Sequence, residues 1–385
     1  MPGAGLYARL SAFYLLYFAA VGVVVPFFSY YLKHRGFDPV AIGQLMSIPM
    51  LMRVVAPGLW GWVADATGRR GQVLRAGSAM AVAGAAAVTL EPGFAALALA
   101  LAAFALPWSG LLPQYEANTL THLGAAPQRY GLVRLWGSVG FIAAVTAGGA
   151  AFSGAGVHRV PVAMLALVAA VACAVWATPI APPVPAAGSP GGLGSVLRSR
   201  PVAALFVVCF LQQAAFGPYY VFFTIYLEEL GYSTAQAGLL WAWGVAAEVV
   251  MFIYTGRLLE RFGSRTLMLF ALGATAVRWA LTATAAQALP ALVFAQTLHM
   301  ASFGLFHAVA VVMVHRYFRG RMQGRGQALY SALGFGLGGA FGSMAAGYAW
   351  KFTGAASAYA GAAAVAGLAT VIAWYGMQRA NGEER

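Results

Sequence analysis

Charge is scarce in this chain: only 9% of its 385 residues are Asp, Glu, Lys or Arg, and the acids number ten. A soluble globular protein carries about a quarter charged residues, so a water-exposed fold is excluded. Cysteine is rarer still. Cys173 and Cys209 each fall inside an apolar stretch with no metal-ligand spacing, so they read as buried small side chains, and no metal or other cofactor is expected. The period-two alternation of barrel strands is missing as well, which excludes a membrane β-barrel.

What remains is 61% hydrophobic, with a mean hydropathy of +0.75. Apolar runs of about 20 residues recur along the chain, each long enough to cross the roughly 30 Å hydrocarbon core. Twelve helical spans fit, the first at 8–31 and the last at 355–377, so the fold class is an all-α integral membrane protein with the lipid bilayer as its surroundings. Arg9 followed by an apolar run resembles a signal peptide. The run continues into Pro26, Tyr30 and Tyr31 without a small-residue cleavage site, so it reads as the first membrane helix.

The net charge of +13 raises nucleic acid as a partner, and the placement of the charges removes it. Arg69, Arg70, Arg75, Arg129, Arg198, Arg257, Arg261, Arg316 and Arg319 fall on one side of the spans, against Lys33, Arg35, Arg159 and Lys351 on the other. The positive-inside rule then sets both termini in the cytoplasm. A preference for arginine over lysine, with abundant alanine and glycine, suits a bacterial inner (plasma) membrane, and a monomer is expected.

The chain repeats itself at an offset of 195. Tyr31 and Leu32 fall on Tyr226 and Leu227, Gly36 on Gly231, Gly43 on Gly238, Gly61 on Gly256, Asp65 on Glu260, Gly68 on Gly263 and Arg70 on Arg265. Two six-helix halves explain this, 1–180 and 202–385, joined by a proline- and glycine-rich cytoplasmic linker at 181–201. Within the repeat, a glycine, an acid four residues on, a second glycine and flanking arginines (Arg69, Arg70) recur where the second helix of each half turns into the third. The glycine permits the reversal, and acid and arginine can make switchable contacts with helix ends, which marks the set as a gating motif.

Polar groups deep in the spans are few enough to weigh singly. Glu248 lies twelve residues, about 18 Å of helix, from Glu260 and its arginines. A carboxylate that deep needs a partner or a wet cavity. Arg53, which overlays Glu248 in the repeat, and Arg278 are equally deep, and a guanidinium stays charged, so an anionic substrate is a natural counter-ion and both are expected to face a central cavity. Glu116 and Arg134 sit at matching depths and are expected to pair, as a latch or as part of a binding site. His299 and His307 are eight residues apart on one face, which suits either packing or a proton relay. Gln212, Gln213, Gln296 and Asn118 are candidate pore-lining amides or interhelical hydrogen bonds. Aromatic residues from Phe216 to Tyr226, with Trp241, Trp243 and Trp279, lie on the charge-bearing helices and can stack on a planar ligand or simply pack.

The loop motif resembles the signature of the major facilitator superfamily. The stretches YGLVRLWGSV at 130–139, WAWGVAAEVV at 241–250, VRW at 277–279, QTLH at 296–299 and QALYSA at 327–332 resemble its proton symporters, in particular 3-phenylpropionate permeases. That resemblance implies proton-coupled import of a small aromatic carboxylate, so small-molecule substrate and protons are the expected partners. A more distant similarity to lactose permease sets Glu116, Arg134, Glu248, Arg278 and His299 on positions used there for sugar binding and proton coupling. That family has a proton-carrying glutamate three residues after the histidine, where this chain has Ser302. A sugar or nucleoside symporter and a drug exporter of the same fold stay open beside the first reading. A membrane-embedded enzyme would need clustered acids, histidines or metal ligands, which scattered single charges do not supply.

Overall fold

A computed structural model of the chain describes residues 4–124, 129–181, 196–319 and 322–377, all helix or short connection, with no strand among them. Most of the expected linker and the last eight residues lie outside the described residues. By packing, the chain divides into one unit of Met1–Ala187 with Tyr220–Ala242 and a second of Gly188–Tyr219 with Trp243–Arg385.

The first unit contains α1 (Ala4–His34), α2 (Pro39–Thr67), α3 (Arg70–Val88), α4 (Phe94–Leu123), α5 (Tyr130–Ala151) and, after a 3-10 turn at Gly154–Arg159, α6 (Val160–Ala177). Helix α1 packs on α5 and α6, and α4 packs on α2 and α3. Gly140 of α5 lies directly against the Leu15 carbonyl of α1, so any side chain there would separate the two helices. With lipid as solvent there is little apolar driving force between helices, and such close backbone approach is what binds them.

The second unit begins with α7 (Arg200–Ala215) and the start of α8 (Gly217–Glu229). It continues through α9 (Thr234–Ala285) from Trp243 onward, α10 (Leu289–Thr297), α11 (Phe306–Tyr317), α12 (Gln323–Tyr330), α13 (Gly339–Thr353) and α14 (Ala355–Gly376). Helix α9 is two helices joined at Gly263, whose φ of 73° and ψ of 158° no side-chain-bearing residue adopts easily. Two segments read from sequence as plain spans are interrupted by π-turns, Met300–Leu305 between α10 and α11 and Ser331–Gly338 between α12 and α13. A core of Leu205, Met268, Leu272, Val309, Phe318 and Ala373 ties α7, α9, α11 and α14 together.

The sequence repeat reappears in the backbone. Gly36 and Gly231 both take positive φ, 85° and 86°, and each N–H bonds the carbonyl three residues back, Lys33 and Glu228. The next helix is capped by a side-chain oxygen in both cases, Asp38 accepting from the Ala41 N–H at 2.8 Å and Ser233 from the Gln236 N–H at 3.2 Å. Gly338 meets the Phe210 backbone as Gly140 meets that of Leu15. Arg9 donates to the Ala177 carbonyl at the end of α6, and Arg200 to the Tyr375 carbonyl in α14.

Among the described residues nine segments are long and apolar enough to span a membrane, the 52-residue α9 counting once. The glycine- and alanine-rich α3 falls below that apolar threshold, as does the segment from α12 to α13.

Candidate functional site

In the second unit, α9 and α10 approach closely because two glycines leave room. A side chain at Gly244 would crowd Gln296 and His299, and one at Gly304 would come within 2.9 Å of the Glu248 Cγ. Into that space project Glu248, Arg278 and His299. Arg278 is fully buried, His299 is 4% exposed as a residue, and the Glu248 side chain is 14% exposed.

Arg278 Nη1 donates to His299 Nδ1 at 2.8 Å and to Ser302 Oγ at 3.1 Å, and Nη2 donates to Gln296 Oε1 at 3.1 Å. A guanidinium has no acceptor, so His299 Nδ1 must accept. The ring proton of the neutral imidazole is thereby fixed on Nε2, which faces Glu248 Oε2 at 3.3 Å. Arg278 and Glu248 are thus joined through one imidazole. The guanidinium also lies over aromatic faces, 4.4 Å from the ring centres of both Tyr219 and Trp279 and 5.5 Å from that of Phe216. Such stacking offsets part of the cost of burying the charge. The head of Arg278, expected to face a central cavity rather than lipid, is buried, ring-stacked and hydrogen-bonded.

The π-turn after His299 changes what the two histidines can do. The His299 and Phe303 rings stack 5.2 Å apart at an interplanar angle of 2°, and Phe303 and His307 stack 6.1 Å apart at 7°. A phenyl ring therefore lies between the two imidazoles. His307 Nδ1 instead meets the Tyr330 hydroxyl at 2.8 Å. Gln212 reaches the same turn from α7, donating to the Ser302 carbonyl at 2.7 Å and the Thr275 hydroxyl at 2.9 Å.

The first unit holds the other candidates. Glu116 and Arg134 do not form the expected ion pair among the described residues. Glu116 Oε1 accepts from the Tyr130 hydroxyl at 2.8 Å, while the Arg134 guanidinium lies 3.9 Å from the Phe18 ring centre, where a cation over an aromatic face is a competing partner. Arg53 is half-buried on α2. Tyr17 stacks on Trp108 at 4.3 Å. Trp241 packs edge-on to Phe223, and its indole N–H donates to Thr224 Oγ1 at 3.1 Å.

The two copies of the loop motif share a positive φ at their second glycine and differ in its ψ and in their arginines. Gly68 ends α2 with φ 65°, as Gly263 breaks α9. Gly61 and Gly256 lie one acid-spacing earlier, Gly61 beside Gln114 and Gly256 facing open space. Asp65 and Glu260 are exposed, as is Arg69, whereas Arg70 is 8% exposed. Arg265 donates to the Trp374 carbonyl at 2.9 Å and lies 5.0 Å from that ring centre.

Sequence reasoning passed over one cluster. Glu228 receives Lys33 Nζ at 2.7 Å and the Tyr30 hydroxyl at 2.9 Å, with His34 Nε2 at 3.3 Å, all within the first unit. Lys33 and Glu228 are themselves 195 apart, so the repeat had marked both positions without revealing that they meet.

A family model described as "MFS_1 like family" matches residues 7–360. The chain is 32% identical over 358 residues to a probable 3-phenylpropionic acid transporter of Escherichia coli (strain K12), covering 90% of this chain and 91% of that one. It is 29% identical over 381 residues to a maltose permease of Geobacillus stearothermophilus, covering 97% and 95%. A crystal structure of the nucleoside transporter NupG matches with a TM-score of 0.81 at 19% identity over 97% of this chain and 98% of that one, a likeness of fold.

Proposed function

The chain belongs to the MFS_1 like family of major facilitator membrane transporters, and from that premise we propose that it is a proton-coupled symporter importing a small aromatic carboxylate. The similarity to a probable 3-phenylpropionic acid transporter supports the substrate class. The observation that carries the coupling is the chain Arg278–His299–Glu248 in the second unit.

With His299 neutral, this buried group holds one positive and one negative charge. A monocarboxylate drawn to Arg278 adds a second negative charge in a low-dielectric setting. At an effective dielectric constant of about 20, a unit charge about 5 Å from Glu248 raises its energy by roughly 3 kcal/mol. One proton on Glu248 removes that repulsion and restores neutrality, so substrate and proton each tighten the other. His299 keeps Glu248 oriented and offers the hydrogen-bonded path by which the arginine and the carboxylate sense one another.

Arg53, with Tyr17 and Trp108, and Glu116 and Arg134 are the substrate-binding candidates of the first unit. Two six-helix halves, 1–180 and 202–385, are joined by the linker 181–201. Twelve crossings result when α9 counts as two helices and α3 and the α12–α13 segment each cross as well. Both termini are then cytoplasmic in a bacterial inner membrane, and the transporter works as a monomer.

A sugar-proton symporter is the second reading, favoured by the maltose permease similarity over 97% of the chain. Uptake of labelled 3-phenylpropionate, maltose and a nucleoside into proteoliposomes with an imposed pH gradient separates the two. The proposal expects accumulation of the aromatic acid alone, abolished by a protonophore; accumulation of maltose instead establishes the second reading.

A further inference from the structure

Two side chains beside Arg278 are fully buried and hold N–H donors that meet no acceptor among the described residues: Gln296 Nε2 and Trp279 Nε1. A buried donor without an acceptor is costly, so natural structures rarely leave one, and two in one cluster call for an explanation.

The orientation of the Gln296 amide is settled by its neighbours. Its Oε1 receives both Arg278 Nη2 at 3.1 Å and the Tyr219 hydroxyl at 3.2 Å. Turning the amide over would set an NH2 group against the Arg278 guanidinium, which cannot accept, so the oxygen stays on the Arg278 side and both N–H bonds point elsewhere. Trp279 is held equally firmly. Its ring packs against Phe216 at 5.0 Å, Tyr219 at 5.4 Å and Tyr359 at 5.9 Å, which fixes the direction of the indole N–H.

Arg278, by contrast, spends its donors inside the protein. His299, Ser302 and Gln296 occupy both terminal nitrogens, and three aromatic rings lie against its faces. It supplies the positive potential and holds the Gln296 amide in place, and beside it Gln296 and Trp279 carry donors of their own.

We propose that Gln296 and Trp279 are the residues that read the acceptor oxygens of the transported molecule, donating from Nε2 and Nε1 to a carboxylate whose charge Arg278 balances. The inference rests on the anion-binding reading above and adds the specificity-determining pair. A ligand suited to these groups presents bare acceptor oxygens beside an aromatic body; its amide or alcohol analogue would bring N–H or O–H donors to a site already made of donors.

The test is binding to purified protein in detergent, read by thermal shift and by titration, with 3-phenylpropionate, its primary amide and its alcohol as probes. Trp279→Phe keeps the ring and deletes one donor; Gln296→Glu keeps the shape and replaces the donors with an acceptor. The wild type is expected to prefer the acid to the amide. Trp279→Phe should weaken the acid roughly tenfold or more, the scale of one hydrogen bond to a charged group, while leaving the amide nearly unchanged. Gln296→Glu should reverse the preference. Acid affinity unchanged in both variants, as when an ordered water satisfies the two donors, overturns the proposal. Loss of acid and amide together by Trp279→Phe also overturns it, because the ring would then be acting by packing alone. If wild type binds none of the three probes, the aromatic-acid reading fails; the same two variants are then run with maltose, and the pairing survives only if they weaken its binding.

Discussion

Adding one methyl group at Gly304 should uncouple the transporter without touching a charged residue. A Cβ there would lie 2.9 Å from the Glu248 Cγ, against the roughly 3.5–4.0 Å that two carbons prefer. The helices pack closely at this point, so Glu248 must retreat by several tenths of an ångström or turn to another rotamer. Its contact with His299 Nε2 stands at 3.3 Å, and either response takes it out of hydrogen-bond range. Overpacking of this kind costs about 1–3 kcal/mol, enough to lower the thermal midpoint by a few degrees without unfolding the chain. Losing a charge-assisted contact costs about 1.5–3 kcal/mol, a factor of ten or more in coupled uptake. The assay is accumulation of labelled substrate in proteoliposomes under a pH gradient, beside exchange without a gradient, for Gly304→Ala and for a control, Gly273→Ala. Gly273 has nothing within 4 Å of its would-be Cβ, so alanine there should be neutral or slightly stabilising. Gly304→Ala is expected to lose accumulation tenfold or more while exchange persists. Accumulation equal to wild type would refute the argument that the Glu248–His299 contact matters.

Arg278→Gln should reduce uptake of an anionic substrate by at least a hundredfold in the same assay, and Arg278→Lys should rescue it only in part, because an ammonium cannot serve His299, Ser302 and Gln296 with a planar fork. His299→Asn is expected to abolish proton-driven accumulation, and His307→Asn to lower it far less, since Phe303 stands between the rings; equal effects would return the relay to consideration. Gly263→Ala should lower the melting temperature in detergent more than Gly68→Ala does, because φ 73° with ψ 158° is harder for alanine than the left-handed helical φ 65° and ψ 9°.

Much of the fold was legible in the sequence because its causes are local. Apolar runs set the helices, and Gly36 and Gly68 marked turns whose twins at Gly231 and Gly263 share their positive φ. Scarcity of charge pointed to Glu248 and Arg278, which do lie in one cluster. The connection between them was not legible, because it depends on which ring nitrogen of His299 faces which partner. The two π-turns were hidden for a similar reason: nothing in the composition of Met300–Leu305 separates it from ordinary helix, and the stabilising bond from Gln212 comes from 90 residues away. Arg134 shows the opposite failure. Matching depth suggested Glu116 as its partner, and depth carries no information about Phe18 lying nearer.

The central claim is that Glu248 takes up the proton that accompanies the substrate, and Glu248→Gln tests it most directly because glutamine mimics the protonated acid in size and charge. Proteoliposomes holding this variant should exchange labelled for unlabelled substrate at a rate near wild type and fail to concentrate substrate under an inward pH gradient. Concentration of substrate against its gradient by the variant would contradict the account.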